Sequence, residues 1–460
     1  MIGIRPATNA SDSVINFNTL LPEVIAFINR VNADDGTIEA INCLNNSIKH
    51  LKDLGLYDDI SLLVTPNAYK ASKIYSIIPT SGAGDLSFTR ASAGMRRNAI
   101  STWVNETNNI PRLNYPIGGG CPSWLFEPQS TNIVLRSTDF SLDWIAVSAT
   151  IAPTAIASPI DSVNWSRFTI NNATGQDRIS QNLTIAAGLT YTLSVYLKSD
   201  TFSGDVILRG DVSGNTANAT INLSTGVITN SGANVISSRT YLEGNGRRLE
   251  LTFTTVLNPS IDITTFNTGV SGVSFLFTQF QLETGSVATS PIITAGSTVT
   301  RVGDYVPFTP ISSSLLPQAQ GTIFWDIIPQ LDTAFGDQGF SVAYNGTWEN
   351  SIAIYFIPNA RRLAAEYYIS ATPYSIATSA NFITSGNRYK IALSITPYKM
   401  VLFINGVKIR EDNIIRPTQA FAHNGVGIGY PAGITCGKHN QIGLFSQSLT
   451  DAECIALTTL

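Results

Sequence analysis

Charge is scarce in this sequence. Asp, Glu, Lys and Arg make up 13% of 460 residues, about half the usual share. The net charge is −4, so no basic footprint for nucleic acid is present. Histidine is scarcer still: His50, His423 and His439 are the only three. Cys436 stands three residues before His439, a spacing that metal ligands use, but no second ligand pair accompanies it. His423 and His439 therefore read as solvated loop residues. The four cysteines, Cys43, Cys121, Cys436 and Cys454, show neither CxxC spacing nor the density of a disulfide scaffold. They read as isolated buried thiols; Cys436 and Cys454, in one C-terminal block, are the pair left open for bridging. No apolar run is long enough to cross a membrane, and no basic leader with an apolar core is seen. No membrane partner and no signal-peptide export are expected. A Gly-x-Ser-x-Gly elbow is missing. Gly118-Gly119-Gly120 lacks the Lys-Ser/Thr that completes a phosphate loop, which leaves a flexible turn. Nothing here supplies a catalytic residue, and no cofactor is expected.

What is present is a 43% hydrophobic chain rich in Ser, Thr, Asn, Gly and Ile, long enough for two or three cores. Met1 to Asn18 has no period and reads as an arm ordered against a partner. Thr19 to Val31 reads as a short helix. From Thr37 to Leu54, Ile41, Leu44, Ile48 and Leu51 recur at three–four–three spacing, ending at Gly55 as a C-cap. That stripe is a candidate oligomerisation seam; the competing reading is an amphipathic helix packed on its own chain. Two helices alone cannot bury it, so ordering on other copies or another protein is expected.

After residue 121 almost everything alternates as short strands. Tyr191–Lys198, Val206–Arg209, Thr220–Leu223, Arg248–Thr254 and Val273–Thr278 are separated by Gly-containing turns, a sandwich pattern. A second set follows a Pro-marked linker at Val306–Pro310: Gly321–Ile328, Ser351–Ile357, Tyr389–Ile395, Lys399–Ile404 and Val407–Arg410. Asn405-Gly406 is the strongest hairpin signal, and Thr450 with Glu453 has the spacing of a capping box. The fold class is mostly β: two tandem β-sandwich (jelly-roll) domains preceded by a short α-helical attachment region. The expected boundaries are 1–55 for the arm and helices, 56–121 for an irregular connector, 122–304 for the first sandwich, 305–317 for a linker and 318–460 for the second.

Three motif steps carry a resemblance. They are Arg90-Ala91-Ser92, Ile110-Pro-Arg-Leu-Asn-Tyr115 and Leu125-Phe-Glu-Pro-Gln-Ser-Thr-Asn132, with the closing run from Phe280 to Asp304. Together they resemble virion fibre and spike proteins of tailed bacteriophages, of the crAss-like type. There the third step often carries two leucines where Leu125-Phe126 stand. The resemblance runs from about Leu54 to Asp304. It implies a carbohydrate-binding-module-like jelly roll and a virion location reached by assembly in the host cytoplasm and release by lysis. Other capsid, portal or tail proteins are implied as partners of the N-terminal region. The residues of Arg388–Ile395, Lys399–Ile409 and Gly443–Leu457 resemble a concanavalin A-like, laminin G-like sandwich.

Both likenesses imply glycan binding by aromatic, amide and Arg groups. The richest such group is Trp348, Tyr355, Tyr367 and Tyr368 with Arg361 and Arg362, against the alternative of sheet-face packing. Jelly rolls of this kind also imply a structural calcium, with Glu127 and Glu283 as candidate ligands; hydrogen-bonded carboxylates are the alternative. Phage appendages imply a homotrimer, which the low surface charge favours, although Ile and Leu alternating along a heptad favour two strands. The competing functions are a carbohydrate-active enzyme, for which Asp326, Glu349 and Glu366 are the available carboxylates, and a capsid decoration without external ligand.

Overall fold

The computed structural model describes residues 38–64, 74–75, 86–255, 259–331, 336–344, 347–369, 372–413, 423–429 and 435–460. The expected arm and the helix at Thr19–Val31 lie outside them. The chain is mostly β and forms two sandwiches of antiparallel sheets, as its alternation predicts.

The first sandwich faces two six-stranded sheets. One runs Val235–Glu243, Gly246–Thr254, Thr190–Ser199, Ser274–Thr284, Asn164–Ile170, Ala149–Ala157. The other runs Ile228–Ser231, Ala217–Asn222, Asp205–Asp211, Ser260–Phe266, Gln176–Asn182, Ile145–Val147. Alternate residues point inward, so Leu193, Val195 and Leu197 meet Leu208, Ile221 and Ile263 in one buried core. Phe140 and the partly buried Trp144 pack there with Phe277 and Phe280.

The second sandwich draws on both ends of the chain. One of its sheets runs Ile60–Val64, Gly437–Phe445, Gly321–Pro329, Tyr389–Ile395, Met400–Ile404, Val407–Asp412. Ser123–Phe126 also pairs with Gly437–Phe445, and Arg112–Asn114 pairs with Ser123–Phe126. The facing sheet runs Val306–Pro310, Gly425–Ile428, Gln338–Tyr344, Thr347–Ile357, Arg362–Ile369, Thr372–Ala377. The tandem boundaries therefore need correcting. The Leu125 segment, expected to open the jelly roll, is a strand of the other sandwich, and Val306–Pro310 is an edge strand rather than a linker. Its prolines sit where a missing donor is tolerated. Ser130–Asn132 pairs with Val299–Arg301, so the jelly roll leaves and re-enters its host at adjacent points. It is an insertion.

The helix Ile38–Asp53 closes at Gly55, whose φ of 73° only glycine adopts readily. Its Leu44, Ile48 and Leu51 are buried against Phe324, Val401, Phe403 and Phe445 of the same chain. The proposed oligomerisation seam is thus spent intramolecularly; Ile41's side chain lies outside the described residues. The sheet it covers is apolar on both faces, because Ile323 and Trp325 face the sandwich core while Phe324 faces the helix. The closing helix Asp451–Thr458 has the expected capping box from Thr450 and Glu453. Asn405 and Gly406 both have positive φ, as the two-residue hairpin requires.

Two of the four cysteines differ from the expected isolated buried thiols. Cys43 on the helix and Cys121 form a disulfide with a Cα–Cα distance of 5.5 Å, while Cys436 and Cys454 are free and buried. The strand Gly437–Phe445 lies between the latter two, and at ~3.3 Å per residue it holds its ends roughly 30 Å apart.

Candidate functional site

The motif residues converge on a buried ionic knot where the jelly roll joins its host. Arg90 donates to Asp304 at 2.9 Å, and Arg112 donates to both Asp304 and Glu127. Arg301 donates to Glu127 and to the Pro128 carbonyl. Ser290 adds a backbone N–H at 2.7 Å and a hydroxyl at 2.6 Å to Glu127. Burial alone would raise the Glu127 carboxyl, but the charges of Arg301 and Arg112 hold it far below the usual range. Every step of the phage-like motif thus supplies a member: Arg90, Arg112, Glu127, and Arg301 with Asp304. Arg90, Arg112 and Arg301 face Glu127 and Asp304, with a third buried carboxylate, Glu283, beside them. Glu283 accepts from Ser130, Thr289 and Gln281. Neither Glu127 nor Glu283 fits a calcium ion, since one is saturated by guanidinium groups and the other by neutral donors. The hydrogen-bonding alternative describes them. Among the described residues no group of His, Cys, Asp and Glu is placed to hold a metal.

Beside the knot, a second node forms on the outer face of the jelly roll. Arg239, Tyr241 and Glu243 alternate along Val235–Glu243, and Arg248 and Glu250 lie on the neighbouring strand. Glu243 is 2% exposed and accepts from Arg97, from Trp103 Nε1 at 2.8 Å and from Tyr196. Arg97 also lies over the Trp103 ring, 4.6 Å from its centroid. Glu250 accepts from Arg239 and Tyr241. Below it, Trp103, Leu125, Trp165, Tyr196 and Leu276 form the apolar contact between the two sandwiches.

A cleft of about 260 Å³ opens above this contact. One wall is Arg97, Trp103, Arg239, Tyr241, Glu243 and Arg248; the other is Ile328, Pro329, Gln330, Ser385 and Lys438 of the host sandwich. Thr289, Ser290 and Asn114 add hydroxyl and amide groups. Its mouth is marked by Ile117, 42% exposed, and by the Arg239 side chain, 49% exposed. Gln330 donates across the junction to the Ala288 carbonyl. Of the aromatic and charged residues lining this cleft, only Glu127 was singled out from the sequence. The available signal was the alternation Arg239-x-Tyr241-x-Glu243, which puts a cation, a ring and a carboxylate on one strand face.

The residues chosen from the sequence are divided. Tyr355 donates to Glu366 at 2.6 Å on the outer face of the second sandwich, and Tyr368 lies on that same strand face as Glu366. Tyr367 is 4% exposed and belongs to the core beneath, because strand alternation turns it the other way. Arg361 and Arg362 are exposed at the preceding turn, where Arg361 has φ 46°. The side chain of Trp348 lies outside the described residues. Asp326 is held by Arg388 and by Asn440 at 2.9 Å. The two late histidines are buried, not solvated. His423 Nδ1 lies 2.6 Å from the Pro317 carbonyl. His439 Nδ1 accepts from Trp325 Nε1 at 3.3 Å, between the rings of Phe126 and Trp325. Burial brings its pKa down to about 3.

No protein-family model and no curated protein matches the chain. Among solved structures it is similar to the CBM40 module of the IT-sialidase of Ruminococcus gnavus, at 18% identity and a TM-score of 0.28, over 34% of this chain and 97% of that one. Domain 4 of the Geobacillus stearothermophilus arabinanase AbnA, solved with arabinotriose, matches at 17% identity and a TM-score of 0.27, over 38% and 82%. The Caenorhabditis elegans galectin LEC-6 matches at 8% identity and a TM-score of 0.23, over 30% and 88%.

Proposed function

We propose that the chain is a non-enzymatic, glycan-binding subunit of a tailed-phage fibre or spike, incorporated into the virion and working as a homotrimer. The observation that carries the glycan reading is the cleft between the sandwiches. There Tyr241 stands beside guanidinium, amide and hydroxyl groups, the mixture that stacks on sugar faces and hydrogen-bonds their hydroxyls. The virion reading is supported by the three motif steps and by a surface with few charges. Threefold symmetry would multiply weak glycan contacts through avidity, and residues 1–37 supply the length for attachment to other virion proteins. A glycan array probed with the full chain tests the binding. Retention of at least one glycan class, weakened by Tyr241→Ala in a variant that still melts cooperatively above the assay temperature, is the expected result. A blank array overturns the reading.

One observation favours a carbohydrate-active enzyme instead. Burial raises the Glu366 carboxyl, the Tyr355 hydroxyl opposes that rise, and Asp337 adds to it, as a general acid requires. Release of reducing sugar from a bound glycan, abolished by Glu366→Gln, would establish that alternative.

A further inference from the structure

Lys438 is the residue of the cleft that the fold leaves unexplained. It sits on the strand Gly437–Phe445, one residue from buried His439, and is only partly exposed. Its charged neighbours are Arg97, Glu243, Glu127 and Arg239, so its ammonium faces the cleft between the sandwiches. Among the described residues no carboxylate or carbonyl accepts a hydrogen bond from it. A partly buried ammonium normally keeps an acceptor, because losing water without one costs free energy.

The carboxylates nearby are already engaged. Glu243 serves Arg97, Trp103 and Tyr196; Glu127 serves Arg112, Arg301 and Ser290. Around the cleft Arg97, Arg239 and Arg248 face Glu243 and Glu250, one cation in excess before Lys438 is counted. The neighbouring knot of Arg90, Arg112 and Arg301 against Glu127 and Asp304, with the buried Glu283 beside it, offers no spare carboxylate to Lys438. In a chain of net charge −4, this junction is a concentrated positive field inside a low-dielectric wall. Burial, followed by the Arg97 charge, holds the Lys438 ammonium below its usual pKa, and an incoming anion would relieve both.

We propose that the cleft selects carboxylate-bearing sugars, with Lys438 as the group that receives the carboxylate while the half-buried Tyr241 takes the ring. This rests on the glycan-binding reading above and narrows it to acidic glycans. Neutral glycans would leave the excess charge uncompensated, so discrimination arises from the unpaired ammonium more than from shape.

The test uses the full chain and sugars that differ only in the carboxylate. Trigalacturonic acid and sialyllactose are each titrated against their methyl esters by calorimetry at low and at high salt. The expected result is binding of an acidic member, weakening with salt, with its neutral counterpart at least tenfold weaker. Lys438→Met should lower the acidic affinity roughly 10- to 100-fold, the span of one charge-assisted hydrogen bond. Its melting temperature should stay unchanged, since the side chain holds nothing else. Equal affinity for acid and neutral members, or an unaffected Lys438→Met variant, overturns the acidic selectivity and leaves glycan binding standing. Binding of neither acidic sugar by the wild-type chain, with an array positive for neutral glycans, also overturns it. A blank array overturns both.

Discussion

Glu127 links two guanidinium groups that have no water to fall back on. Replacing it with Gln keeps the shape but removes the charge, so Arg112 and Arg301 would be left buried beside a neutral amide. Breaking a buried pair in this way costs about 3–5 kcal/mol; denaturant midpoints of Glu127→Gln should show it, and an unchanged midpoint would mean the knot is solvated. Because the folded carboxyl is depressed, its stabilisation is fully present above pH 4.5, its ordinary value, and fades as pH falls below that. His439 acts earlier. It stays neutral in the fold down to about pH 3 but takes a proton in the unfolded chain below 6.5. His439 alone should therefore lower stability by about 1.4 kcal/mol per pH unit from 6.5 downward, and His423, whose pKa burial also lowers, adds to the loss. His439→Gln should abolish the His439 part of that loss between pH 6.5 and 4.5, read from urea titrations at the two pH values. The hydrogen-bonded role of Glu127 was legible in the sequence as one of two readings, its partners were not, and the burial of His439 was not. Glu127 was marked as a carboxylate at the end of a module, but its partners lie 15 to 177 residues away. His439 looked like a loop residue because the apolar rings that bury it belong to other strands.

The helix Ile38–Asp53 shows what periodicity can and cannot give. The three–four–three stripe places Leu44, Ile48 and Leu51 on one face, and that face is buried as the pattern requires. The pattern does not say against what, and the surface that receives it lies between Phe324 and Leu457. Ile48→Ala should destabilise the chain by about 2–5 kcal/mol through a cavity, without changing its mass in solution. A change of oligomeric state with little loss of stability would return the stripe to the role of a seam. The same helix is stapled by Cys43 to Cys121 across 78 residues. Closing so long a loop is worth about 2–4 kcal/mol through the unfolded chain, so Cys43→Ser should lower the denaturation midpoint by that amount. Strand assignments were more legible than partners throughout. Period-2 alternation and the Asn405-Gly406 turn are local signals, whereas the pairing of Ser123–Phe126 with Gly437–Phe445 is not.

At the scale of the whole molecule, the insertion explains why composition misplaced the boundaries. The Pro-marked segment at Val306–Pro310 has the look of a linker, yet it is an edge strand paired with Gly425–Ile428. A fragment beginning near Ser312 would lose that strand together with Ile60–Val64 and Ser123–Phe126. It would also uncover the side of the sheet where Phe324, Val401, Phe403 and Phe445 meet the helix. Each such side chain returned to water costs about 1.5–3 kcal/mol, and together they rival the 5–15 kcal/mol that stabilises a typical domain. The fragment 312–460 should therefore show no cooperative unfolding transition. The jelly roll is in the opposite position. Its ends, Ser130–Asn132 and Val299–Arg301, pair with each other, and its core is drawn wholly from residues between them. A fragment 130–301 should fold alone and melt in one transition. It would be less stable than in the intact chain, because Trp165 and Tyr196 lose the cover of Trp103 and Leu125. Circular dichroism melts of the two fragments decide the matter. Cooperative melting of 312–460 would show that the N-terminal strands are dispensable additions, whereas failure of 130–301 would show that the ionic knot and the junction beneath the cleft are needed to hold the inserted module together.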